Sequence, residues 1–577
     1  MRLLCLSLYS IVASFVIALP IYAMTDQIDF TWHKKIKLRD DKHAAASIYK
    51  PAIFNASLPS IVFITPYNRD EANKYGTYFA QHGYAFIAVD SRGRGDSEGE
   101  FIPFEKDGQD GFDVIEWVAA QPWSNQKVAM MGGSYRGFTQ WATLKEAPPS
   151  LKTIVPTASV YPAIDFPYKN DIPTYYVMSW LHFISGKTNN SARFNQAHVA
   201  PIYAKLRRDG ASFRELDKRL GNPSSIFQTW LDHPKYDSYW GKMVPQAQHY
   251  RAFTGPVLSI TGQYDGDHLG TLNYYKNLMS STQNAKHHYL VLGPWDHAGT
   301  RSPKKNIDGI MVGNNSLLDF KKLHLAWFNW TLKGEEKPTF LKDNIATFNI
   351  GSNRWHYYRD LQSLNLPNQR FNLSSAHKQH NVFSSGLMTS SNTLSAAPYS
   401  EYQYDPLHTK GMPKSTEHSL TGQNTAMAID NNGVIFHSRK LKQALFLQGQ
   451  ISLSLWLSSN IANTDLFAML YIIDKYGKSA LISEDRVRLK RGANRDHNPN
   501  ELYQIKLNSF ALVSRKLPKN SRLRLVVTSE HSRYQKHYNG DGPVADQTGQ
   551  GAIPATLQIH HHGKYQSSLN LPLSHTL

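Results

Sequence analysis

The chain has 577 residues, 41% hydrophobic and 19% charged, and its 63 Lys and Arg outnumber 45 Asp and Glu for a net charge of +18. At about 150 residues per domain, this length predicts three or four domains, or two large ones. The composition, without long single-sign runs, excludes wholesale disorder, and with one apolar run approaching a membrane span the chain is no multispan membrane protein.

That run is N-terminal. Arg2 precedes apolar Leu3 to Leu19, and Ile21-Tyr22-Ala23 offers a small residue at a cleavage point. Residues 1–23 are therefore expected to be a secretory signal peptide and the protein to be periplasmic or secreted, without a stable membrane anchor. Cys5, the single cysteine, falls inside this segment, so the mature chain would hold no disulfide, thiol nucleophile or cysteine metal site.

From Ser60 the pattern alternates short apolar runs with helical periodicity. Ser60–Thr65 reads as a buried strand, Glu71–His82 as a helix stopped by Gly83, and Tyr84–Asp90 as the next strand. An amphipathic helix carries Phe112, Ile115 and Val118, and the strand Lys127–Met131 follows. The alternation resumes at the strand Pro256–Gly262, a helix through Leu272–Leu278 and the strand His288–Leu292. Such alternation predicts an α/β fold with a mainly parallel sheet covered on both faces. Between these halves, residues 158–250 are helical or irregular and rich in aromatics, among them Tyr161, Tyr175, Tyr176, Trp180, Trp230 and Trp240. An insertion there would lie over the strand ends as a cap, with most of its aromatics forming the cap's own core.

A helix near Leu317–Leu332 closes the first half, and the Ser- and Asn-rich stretch 372–397 suits a linker. Beyond it the period becomes two, as in Ile451, Leu453, Leu455 and Leu457, which predicts a sandwich or jelly-roll domain. The expected organisation is a core of residues 24–157 and 251–337, a cap of 158–250 and a β domain of 338–577. The densest basic cluster, Arg486, Arg488, Lys490 and Arg491, alternates along a strand and is read as a solvated sheet face; no nucleic-acid motif accompanies it. His560 and His562 would share one strand face, but two ligands without a third make a poor metal site, and they are read as exposed.

The chemistry concentrates at strand ends. The strand ending at Met131 runs into Gly132-Gly133-Ser134-Tyr135-Arg136-Gly137. A serine between glycines on a strand-to-helix turn is the layout of a nucleophile elbow, although a plain glycine-rich turn would also fit, and the second glycine comes one position late. A serine needs a base to take its proton and a carboxylate to orient that base. Asp265 follows the strand Pro256–Gly262, and His297 follows His288–Leu292, in the order Ser, Asp, His.

These motifs, with Asp90–Gly99 (DSRGRGDSEG) and Gly293–His297 (GPWDH), resemble the family of cocaine esterases, α-amino acid ester hydrolases, cephalosporin acylases and X-prolyl dipeptidyl peptidases. In that family the glycine after the nucleophile also comes three positions later. The resemblance covers most of the chain, including the cap and the β domain. It implies an α/β-hydrolase core with a helical cap and a C-terminal jelly roll. It makes Ser134 the nucleophile, His297 the general base and acid, and Asp265 its orienting partner. The Tyr67 hydroxyl and the Tyr135 backbone N–H would form the oxyanion hole. The amino ester hydrolases hold a substrate ammonium with carboxylates; here Asp267 keeps one such position, His268 replaces another, and Asp171 could supply an acid from the cap, although plain solvation suits it equally. Trp180 is the further substrate-binding candidate.

The expected protein is thus a serine esterase or acylase acting on a small ester, amide or short peptide, with no metal or organic cofactor and no nucleic-acid partner. An X-Pro dipeptidyl peptidase is the alternative, and an envelope- or carbohydrate-binding protein with an inert core is a different class.

Overall fold

The computed structural model describes residues 27–194, 196–282, 285–378, 383–390, 395–408, 420–422, 432–489 and 501–577. The expected signal peptide, Lys490 and Arg491 lie outside them.

A ten-stranded sheet organises the first half. Its strands are β1 (Ile28–Lys37), β2 (His43–Pro51), β3 (Leu58–Thr65), β4 (Ala85–Asp90), β5 (Ser124–Gly133), β6 (Leu151–Thr157), β7 (Val257–Tyr264), β8 (His288–Asp296), β9 (Ile345–Asn349) and β10 (Arg354–Tyr358). Their spatial order is β1-β2-β4-β3-β5-β6-β7-β8-β9-β10. The pairings from β4 to β9 are parallel, while β1, β2 and β10 pair antiparallel at the edges. Every residue of β3 is buried, as a strand covered on both faces requires. Its side chains divide by twos: Val62 and Ile64 join the core on one face, Ile61 and Phe63 the core on the other.

Most sequence expectations hold with small shifts. The helix expected at 71–82 is a 3-10 turn, Arg69–Ala72, followed by an α-helix, Asn73–Gln81, and Gly83 ends it at φ 76°, where a side chain would be strained. The helix near 317–332 runs Phe320–Phe328, and the Asp319 carboxylate caps it by accepting the Lys322 N–H.

Three expectations are corrected. The core does not stop at 337, because β9 pairs in parallel with β8 and carries β10 with it; the core sheet reaches Tyr358. The polar stretch 372–397 is not all linker, since Asn368–Ser374 and Gly386–Thr389 pair as antiparallel strands of the β domain; polar side chains do not prevent pairing when Phe371, Leu373 and Met388 supply the core contacts. The basic strand is not solvated either. Arg486 and Arg488 are buried, and Arg488 forks onto Asp465 at 2.8 and 2.9 Å.

The β domain is of jelly-roll type, with a thirteen-stranded sheet path folded on itself. Leu453, Leu455 and Leu457 point into its interior, in line with their spacing. His560 is buried rather than exposed, with Nε2 2.9 Å from Ser458 Oγ, while His562 sits at the surface, Nδ1 3.1 Å from the Pro398 carbonyl.

The cap occupies the connection between β6 and β7. Its short hairpin, Tyr168–Lys169 with Ile172–Pro173, packs onto the β-domain strand Ser479–Leu489. There the Asn170 amide donates to the Arg486 carbonyl at 2.6 Å, and Arg488 donates to the Asp171 carbonyl at 2.8 Å. Trp230 and Trp240 are fully buried, and the Tyr168 hydroxyl donates to the Trp230 carbonyl at 2.6 Å. Core, cap and β domain thus meet around the ends of β5, β7 and β8.

Candidate active site

Ser134 stands between β5 and the helix Tyr135–Lys145 with φ 66° and ψ −130°. A left-handed φ is uncommon for a residue with a side chain and marks local strain held by its surroundings. The surroundings are legible atom by atom. The Ser134 N–H donates to the Thr157 carbonyl at 2.9 Å, and its own carbonyl accepts the Gly137 N–H at 2.7 Å. A Cβ on Gly133 would meet Arg301 Nη1 at 2.7 Å, and one on Gly137 would meet the Thr157 carbonyl at 2.9 Å. At Gly137 the obstacle is backbone and glycine is required, whereas at Gly133 the flexible Arg301 side chain would have to move.

His297 and Asp265 come together across the ends of β8 and β7. His297 Nδ1 lies 2.8 Å from Asp265 Oδ1. Asp265 is fixed further by the Thr261 hydroxyl, which donates to Oδ2 at 2.8 Å, and by the Asp267 N–H, which donates to Oδ1 at 3.0 Å. Burial pushes the Asp265 carboxyl up, but the facing imidazole and these donors outweigh it, and the group is held below its ordinary range. Burial pulls His297 down, yet Asp267 and Asp265 oppose that pull, and the imidazole is held above its usual value. Its Nδ1 is committed to Asp265, which leaves Nε2 to move protons.

Ser134, His297 and Asp267 open into one cavity of about 240 Å³, whose other walls include Phe104, Tyr135, Val160, Phe166, Tyr176 and Trp180. Trp180, expected as a substrate contact, is one of these walls. Its indole N–H donates to the Tyr67 hydroxyl at 3.3 Å. Because that oxygen accepts from Trp180, the phenolic hydrogen remains available to point elsewhere. The Tyr135 N–H belongs to the first turn of its helix, where backbone donors lack intrahelical acceptors. The Tyr135 side chain is turned inward, donating to Asp107 Oδ2 at 2.7 Å and stacking on Trp180 at 5.5 Å.

Asp171 is not brought to this cavity. It occupies the turn of the cap hairpin against the β domain, with its carbonyl engaged by Arg488. The acid that the cap does deliver is Asp165, in the wall of the adjoining space; sequence reasoning missed it because nothing periodic or repeated marks it. Its carboxylate accepts the Tyr161 N–H at 2.9 Å and the Gly270 N–H at 2.5 Å. Burial pushes Asp165 up to about 8 against the pull of those two donors, and burial with the repulsion of Asp165 and Asp265 holds Asp267 well above the ordinary carboxylate range, against the pull of His297. His268 turns away from the reaction centre: it accepts the Leu512 N–H on Nε2 at 2.9 Å, so Nδ1 carries the hydrogen and donates to the Gly262 carbonyl at 2.8 Å.

Asp265, Asp267 and His297 also place one donor atom each within 4.8 Å of one another, the one such trio among the described residues. A cation there would have to displace His297 Nδ1 from Asp265, so the trio is better suited to sharing protons than to holding a metal.

Comparison with known proteins gives the same architecture. Residues 40–299 match the X-Pro dipeptidyl-peptidase (S15 family) description, and residues 330–570 match the X-Pro dipeptidyl-peptidase C-terminal non-catalytic domain. The chain is 23% identical over 565 residues to a cocaine esterase of Rhodococcus sp., an alignment covering 93% of this chain and 97% of that one. Among solved structures, an α-amino acid ester hydrolase superposes with a TM-score of 0.79 at 17% identity, covering 98% of both chains. An aminopeptidase from a marine sediment archaeon (Thaumarchaeota) superposes with a TM-score of 0.79 at 19% identity, covering 98% of this chain and 99% of that one.

Proposed function

We propose that this chain, which belongs to the X-Pro dipeptidyl-peptidase (S15) family of serine hydrolases, cleaves small carboxylic esters or amides through an acyl-enzyme on Ser134. The observation that carries the reading is the shared cavity of Ser134 and His297, with His297 tied to Asp265. His297 Nε2 takes the Ser134 proton as Oγ attacks the scissile carbonyl, and Asp265 steadies the imidazolium that forms. The tetrahedral oxyanion lies between the Tyr67 hydroxyl and the Tyr135 N–H. Collapse expels the leaving group with the proton returned by His297, and water then repeats the sequence on the ester of Ser134.

The acyl group we favour carries an amine. Asp267 lines the catalytic cavity, and Asp165 and Asp267 together line the space beside it. Two buried acids that hold each other's protons would be relieved by a substrate ammonium. A charge-assisted hydrogen bond contributes roughly 1.5–3 kcal/mol. Phenylglycine methyl ester should therefore exceed its N-acetyl derivative by about 10- to 150-fold in kcat/KM. Equal rates would leave a general esterase. An exopeptidase releasing X-Pro dipeptides would use the same anchor, and hydrolysis of Gly-Pro-4-nitroanilide tests that alternative directly. The proposal includes export after removal of residues 1–23, supported by the apolar run Leu3 to Leu19; N-terminal sequencing of the protein from its native host tests it.

A further inference from the structure

Beside the catalytic cavity lies a second, larger one of about 330 Å³, enclosed by the cap hairpin, the loop Asp265–Asp267 and the β-domain strand Ser479–Leu489. The two cavities share Phe166, Tyr176, Gly266 and Asp267 as walls, so a substrate bound at Ser134 can extend from one into the other. Its acids are Asp165 from the cap, Asp265 and Asp267 from the core and Glu484 from the β domain, while Lys169 of the cap hairpin and Arg486 and Arg533 of the β domain bring positive charge.

Most of those cations are accounted for. Arg533 Nη2 lies 3.5 Å from Glu484, whose Oε1 also accepts the Tyr534 hydroxyl at 3.0 Å. Lys169 Nζ lies 3.6 Å from the buried Asp485. Arg486 differs. It is 6% exposed, its Nε donates to the Lys169 carbonyl at 3.3 Å, and its guanidinium lies 3.9 Å from the Tyr534 ring centroid. Among the described residues no carboxylate lies within ion-pair distance of it; Glu484, which feels its charge, is already engaged by Arg533 and Tyr534. A desolvated guanidinium without a directly bonded carboxylate is costly, and its planar fork is shaped for one.

We propose that Arg486, backed by Arg533 and Lys169, binds a carboxylate of the substrate remote from the scissile bond, so that the β domain selects substrates rather than only supporting the core. The proposal rests on the acyl-enzyme reading of Ser134. The carboxylate could belong to the acyl group or to the leaving group, and the test separates these.

The full-length mature protein is assayed on pairs that differ only by carboxylate against carboxamide. Glutamyl and glutaminyl 4-nitroanilide, and 4-nitrophenyl hydrogen suberate and its ω-carboxamide, place the charge on the acyl side. The pair 4-carboxyphenyl and 4-carbamoylphenyl butyrate places it on the leaving group. The expected result is a carboxylate preference of about 10- to 150-fold in kcat/KM on one side, the fold-change of a charged hydrogen bond. That ratio should collapse toward one in Arg486→Gln and be partly kept in Arg486→Lys. Wild-type ratios near one for all three pairs would overturn the subsite whether or not the variants fold, and so would a preference that Arg486→Gln leaves intact. If the carboxamides are cleaved but Ser134→Ala cleaves them equally, the acyl-enzyme reading fails instead.

Discussion

Asp267 places Oδ2 3.6 Å from His297 Nδ1, the same ring nitrogen that Asp265 holds at 2.8 Å. The imidazole therefore faces two carboxyls, and both favour its protonated form against the cost of burial. His297 acts as a base only when neutral, so activity rises with pH through its pKa. Asp267 favours the imidazolium although its own proton is tightly held, so the acidic limb of the kcat/KM profile in Asp267→Asn should move to lower pH. A limb at the wild-type position would show that Asp267 does not bear on the base.

In the proposed mechanism Asp265 orients the base. In Asp265→Asn the anion opposite the imidazolium is gone and the tautomer is no longer enforced, which in a Ser-His-Asp system costs about 10⁴-fold in kcat. Steady-state kinetics on a neutral ester check this, and a loss of less than tenfold would place the orienting carboxylate on Asp267.

The Trp180 indole donating to Tyr67 makes the phenol a directed donor. Tyr67→Phe should lower kcat by about 100- to 1,000-fold with little change in KM, the usual consequence of losing one oxyanion-hole donor. Trp180→Phe, which leaves the hydroxyl present but unguided, should fall between this variant and the wild type.

The elbow predicts its own fragility. A Cβ at Gly137 would overlap Ser159 Oγ and press on the Thr157 carbonyl. Gly137→Ala should therefore destabilise the protein by about 1–3 kcal/mol, the range for overpacking a filled site, and lower kcat as the turn shifts. Thermal unfolding and turnover measured together check it.

The parallel strands and the strand-end placement of Ser134, Asp265 and His297 were legible because hydrophobic runs and strand-end loops are local features. The extension of the core sheet to Tyr358 was not, because β9 carries the same short-strand signature as the β domain that follows it, and its partner is decided by tertiary pairing with β8. The same limit explains Arg486 and Arg488: alternation revealed a common face, but only the docked cap hairpin buries it. Asp165 was invisible for a related reason. Its importance comes from Tyr161 and Gly270 on two different elements, a meeting that no sequence spacing announces.

The central claim is that Ser134 forms the covalent intermediate. Treatment with a fluorophosphonate, followed by peptide mass analysis, tests it most directly. The account predicts one adduct, on the peptide carrying Ser134, with labelling lost in Ser134→Ala and strongly slowed in His297→Ala. An adduct on another residue, or ester hydrolysis persisting in Ser134→Ala, would contradict it.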